Sequence, residues 1–123
     1  MHKCLTYFLI YLEEIINTNE IIKSLEIDES VISKITEQSI EIGRCEQYDV
    51  NINNMVRYTI KELLGKEETL LMLKEKYNLE YYLSKVMVVD DMCDEPTPIL
   101  GLEADVIEFL YKTKTIDDID YYV

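Results

Sequence analysis

Residues 4–12, Cys-Leu-Thr-Tyr-Phe-Leu-Ile-Tyr-Leu, constrain the fold more than any other stretch. The run is apolar in both alternating rows and rich in aromatic and branched side chains. Strand side chains project alternately to two faces, so this pattern predicts a central strand covered on both sides. Nine residues are too few to cross a bilayer as a helix. The run also ends in Glu13-Glu14-Ile15-Ile16 with no small-residue cleavage site, so a buried strand is expected and not a signal peptide.

The rest of the chain falls into short periodic segments. Asn17 is expected to cap a helix over 18–26, with Glu20 reaching back in the manner of a capping box. Residues 31–36 and 39–45 alternate as two short strands joined by Glu37-Gln38, with a helix from Ser30 as the rival reading. Behind the caps at 49–53, Val56, Ile60, Leu63 and Leu64 share a helix face that should stop at Gly65. A second helix carries Leu70, Leu73 and Tyr77 on its stripe. Its Glu67 and Glu68 near the start and Lys74 and Lys76 near the end complement the helix dipole. The pair is equally readable as one long helix kinked at Gly65.

Residues 79–89 return to strand alternation and are apolar on both faces in their second half. The acidic loop 90–95 follows. Pro96 and Pro98 then force extended backbone, and 99–102 is expected to form a short edge pairing. A helix over 103–112 should bury Val106, Ile107, Leu110 and Tyr111. The chain closes on a half-buried strand, with Ile119, Tyr121 and Val123 on one side and a wet face of Asp118, Asp120 and Tyr122 on the other. The order β-α-β-β-α-α-β-α-β in a chain of 123 residues predicts a single α+β domain. Its one sheet should be mainly antiparallel or mixed, with helices packed mostly on one face.

Charge narrows the function. Against 25 Asp and Glu stand 12 Lys and Arg, a formal net charge of −13. Such a field repels phosphate backbones and anionic headgroups, so neither nucleic acid nor a membrane is an expected partner. The three cysteines are odd in number, widely spaced and without C-x-x-C, which suits core packing in a reducing cytoplasm.

Catalytic signatures are missing. The single His2 sits beside the first residue, where fraying is expected, and no nucleophile elbow, phosphate loop or dinucleotide fingerprint is present. Zinc is not expected from one His and three scattered Cys. Asp90, Asp91, Asp94 and Glu95 crowd one loop and have the oxygen ligands of a hard-cation site, but not the spacing of a calcium loop. A solvated acidic loop is the expectation there. No cofactor and no catalytic residue is assigned. The ten tyrosines are expected at the rim of the core, with their hydroxyls in water.

Three stretches resemble a bacterial family of small proteins, domain of unknown function 4279. They are Asn-Glu-Ile-Ile-Lys-Ser-Leu at 19–25, Tyr-Asp-Val-Asn-Ile-Asn-Asn at 48–54, and Pro98-x-x-x-Leu102 before the last helix with Asp-Ile-Asp-Tyr-Tyr-Val at 118–123. The resemblance spans nearly the whole chain. It implies an α+β fold and a bacterial or phage origin, and supplies no activity and no site residues.

Charge, size, tyrosine content and missing catalytic motifs together point to a small protein-interaction domain and not an enzyme. An immunity-type or inhibitor protein that binds a basic partner fits this description. Its candidate contacts are Asp118, Asp120 and Tyr122 on the closing strand and Asp90, Asp91, Asp94 and Glu95 in the loop. The alternative is a small-ligand or divalent-cation-binding protein, or an enzyme, with a site of carboxylates and tyrosines.

Overall fold

The computed structural model describes residues 2–48, 51–89 and 101–122. Among them are five strands: β1 (Lys3–Leu12), β2 (Ile32–Ile35), β3 (Ser39–Tyr48), β4 (Leu79–Val88) and β5 (Ile116–Tyr122). Four helices join them: α1 (Thr18–Leu25), α2 (Ile52–Ile60), α3 (Glu67–Tyr77) and α4 (Ala104–Thr113). The strands form one mixed sheet in the order β2-β3-β1-β4-β5. All neighbours pair antiparallel except β4 and β5, which run parallel with α4 as their crossover. Element order and fold class are those the residue pattern predicts.

β1 is central, as its double apolar rows require, but the described helices cover only one of its faces. Cys4, Thr6, Phe8, Ile10 and Leu12 are buried, whereas Leu5, Tyr7 and Leu9 are half-buried and Tyr11 is exposed. The expectation of a strand covered on both sides is therefore corrected. The buried row joins Ile40, Ile42 and Cys45 of β3, Tyr81, Leu83 and Met87 of β4, and the inner stripes of the helices in one core. The Phe8 ring lies 5.6 Å from Tyr81 and 6.4 Å from Phe109, centroid to centroid. Each such burial contributes about 1.5–3 kcal/mol.

The second segment of the β2–β3 pair runs further than the alternation predicts. Opposite Tyr7 the register slips, so that Thr6 faces Cys45 while Phe8 faces Ile42. Gly43 and Arg44 occupy the slip, with Gly43 in the left-handed region at φ 68°. This bulge shifts the phase of the strand, and Ile40, Ile42 and Cys45 all turn toward the helices despite their uneven spacing. Before β2 the helical rival is realised only as a single 3-10 turn, Glu29–Val31.

Local signals set the helix ends with some corrections. Asn17 caps α1 by accepting from the Asn19 amide at 3.0 Å. Glu20 completes no capping box; its carboxylate instead accepts from the Tyr77 hydroxyl at 2.9 Å and ties α1 to α3. α2 ends at Ile60, five residues before Gly65, and a turn carries Leu63 inward while Leu64 stays 38% exposed. The two helices are separate. In α4 the buried residues are Val106, Phe109, Leu110 and Thr113, with Ile107 53% and Tyr111 84% exposed. The true stripe follows spacings of three and four, roughly one residue's rotation from the face expected.

His2 is not a frayed end. It is only 2% exposed, at the head of the buried row of β1, and has partners. Of the pairing expected at 99–102, only Gly101 and Leu102 are described, and both lie outside the strands. The described part of β5 is largely exposed on both sides, Ile119 and Tyr121 included. The half-buried strand expected there is thus more open, as an edge strand with one neighbour can be.

Candidate functional site

Directly paired residues of neighbouring strands share a face, so the register defines the side of the sheet that none of the described helices covers. Its centre is the second row of β1, Leu5, Tyr7 and Leu9, lying beside Val86, Ser84 and Tyr82 of β4. On one flank, β3 contributes Glu46 opposite Leu5 and Glu41 opposite Leu9. On the other flank, β5 places Asp118 beside Ser84, Asp120 beside Val86 and Tyr122 beside Val88. An apolar and aromatic band two strands wide thus runs between two lines of carboxylates.

The two flanks differ electrostatically. On the β3 side Glu46 meets Lys3 at 2.9 Å and Glu41 meets Arg44 at 3.2 Å. The hydrogen bond to Glu46 raises Lys3 above the ordinary lysine range. That flank neutralises itself. On the β5 side, no ion pair among the described residues engages Asp118, Asp120 or Glu80. Glu80 instead accepts from the Tyr82 hydroxyl, and this bond holds the phenol above its ordinary pKa. The face therefore presents an apolar centre with uncompensated negative charge along one side.

Asp118, Asp120 and Tyr122, the contacts expected from the sequence, lie together on this face. Asp90, Asp91, Asp94 and Glu95 lie outside the described residues. The residues missed by sequence reading are Leu5, Leu9, Val86, Glu80 and Tyr82. One signal pointed to them: both rows of residues 4–12 are apolar, so whichever row the helices leave open is an apolar surface.

The other charged clusters serve the fold. Lys85, 1% exposed on the helix side of β4, pairs with Asp117 of β5 at 3.1 Å. Arg57 of α2 donates to Asp105 at 2.6 Å and to Glu103 at 3.2 Å, pinning the start of α4. The guanidinium lowers Asp105 below the usual carboxylate range, and the two acids raise Arg57 in turn. Lys74 caps the last turn of α4 through the Lys114 carbonyl at 2.7 Å, and burial lowers its pKa. Among the described residues no group of three His, Cys, Asp or Glu is placed to hold a metal ion. No helix there is long and apolar enough to cross a membrane.

No family model, curated protein or solved structure matches this chain.

Proposed function

We propose that this chain is a protein-interaction domain that binds a basic partner through the uncovered face of its sheet, as an immunity-type or inhibitor protein does. The observation that carries the reading is the coincidence of a half-buried apolar band with the carboxylates of Asp118 and Asp120, which no cation among the described residues pairs, on one face. Apolar surface of this kind favours association. Unpaired charge beside it selects a partner of opposite sign and speeds encounter. The net charge of −13 adds a long-range field of the same sign. A cytoplasmic setting goes with the odd, scattered cysteines.

The test compares immobilised wild-type domain with the Asp118→Lys/Asp120→Lys variant in lysate of the source organism. A basic protein should be retained by the wild type at low salt, released at high salt, and absent from the variant. Equal retention by both would remove this face from the function.

A further inference from the structure

We infer that the occupant of the uncovered face is an amphipathic α-helix of the partner, laid along β1 and β4 with Lys or Arg side chains directed at Asp118 and Asp120. The inference rests on the proposed function and specifies the kind of partner that site takes.

Two observations lead to a helix. The backbone groups of β1, and of β4 from Tyr82 to Val88, are consumed by pairing on both sides, so the centre of this face has no hydrogen bonds to give an incoming main chain. A segment covering it must satisfy its own backbone, which a helix does and an extended peptide does not. The dimensions agree as well. With strands about 4.8 Å apart, the β3 and β5 flanks stand about 14 Å from each other. A helix with side chains is about 10–12 Å across and fits between them.

The charge decides what kind of helix. The β3 flank is already neutralised by Lys3 and Arg44, while Asp118 and Asp120 have no cation among the described residues. An incoming helix needs an apolar stripe for Leu5, Leu9 and Val86, and basic residues at the edge of that stripe. A second copy of this chain is a poor occupant. It would bring another −13 to a face that is already acidic.

The probe is a synthetic peptide of about 22 residues, long enough as a helix to span the ten residues of β1. Leu recurs at spacings of three and four, with Lys along both edges of the stripe. A scrambled peptide of the same composition has no stripe. Titration is followed by amide chemical shifts of the domain and by the far-ultraviolet circular dichroism of the peptide. The designed peptide should become helical on binding, perturb amides of β1, β4 and β5, and bind about tenfold or more tighter than the scrambled one. Asp118→Asn/Asp120→Asn should weaken it about tenfold, while Glu67→Gln/Glu68→Gln on the helix side should change it less than about twofold.

Equal binding of the scrambled peptide, or equal loss with the helix-side variant, would reduce the effect to bulk charge and overturn the inference. Binding at the face without gained helicity would also overturn it, while leaving the proposed function standing. So would a basic protein that needs Asp118 and Asp120 but is not displaced by the peptide. Sedimentation showing a dimer abolished by Leu9→Lys would assign the face to a second copy. If neither a basic protein nor any basic peptide engages the face, the proposed function falls together with the inference.

Discussion

The Thr59 hydroxyl donates to the Gly43 carbonyl at 2.7 Å, and α2 thereby sits directly on the bulge of β3. Thr6 of β1 joins the same contact, its hydroxyl 2.7 Å from that of Thr59. The approach is close enough that a Cβ on Gly43 would fall 2.2 Å from the Thr59 carbonyl oxygen. Gly43→Ala should therefore cost more than about 3 kcal/mol, combining backbone strain with a clash against helix backbone. Thr59→Val, which keeps the shape and deletes the hydroxyl, should cost about 1–3 kcal/mol. Urea unfolding of the two variants checks the order.

Neighbours on β1 should differ sharply because they project to opposite sides of the sheet. Ile10→Ala removes a fully buried side chain from the core and should cost about 2–5 kcal/mol. Leu9→Ala, on the uncovered face, should cost under about 1.5 kcal/mol. Equal losses in denaturant midpoint would mean that the second face is covered in solution.

The corrected stripe of α4 makes a similar contrast. Phe109→Ala should cost about 3–5 kcal/mol. Ile107→Ala and Tyr111→Ala should each stay within about 0.5 kcal/mol, since both side chains face water. Thermal melts of the three variants separate the two possible helix rotations.

Asp117 and Asp118 are adjacent in sequence and opposite in role. Asp117→Ala strips a carboxylate from the buried Lys85 ammonium and should cost about 1–3 kcal/mol. Asp118→Ala, on the uncovered face, should stay within about 0.5 kcal/mol. The same melting measurement shows whether Asp118 variants remain folded for binding work.

The Arg57–Asp105 contact gives an acid-dependent term. Asp105 titrates below the ordinary carboxylate range because Arg57 hydrogen-bonds its charged form. A carboxylate depressed in the folded state stabilises above its unfolded pKa, and that contribution disappears as pH falls through the folded value. The wild type should therefore be more stable than Asp105→Asn near neutrality, with the gap closing as pH falls below the ordinary carboxylate range. Denaturation of both proteins across the acid range reads this out; a gap that persists in acid would assign it to packing.

Element order, sheet centre and the helix-cap role of Asn17 were readable from residues alone, because alternation, helical spacing and capping act within a few positions. The α4 face was misread because Val106, Ile107, Leu110 and Tyr111 also make an acceptable stripe on paper. Only Phe109 packing against Phe8 selects between the two rotations. The length of β3 was missed for a related reason. A bulge at Gly43 breaks simple alternation, and its stabilising partner, Thr59, lies 16 residues away.

The uncovered face shows the same division most clearly. By itself the sequence determined that residues 4–12 form a strand with two apolar rows and that Asp118, Asp120 and Tyr122 share a side of the closing strand. Periodicity within one segment carries that much. Which apolar row the helices cover, and that the other lies beside those carboxylates, was decided only by the tertiary structure. Strand order and register bring β1, β4 and β5 together across more than a hundred residues, and no local pattern encodes which side of a sheet its helices take.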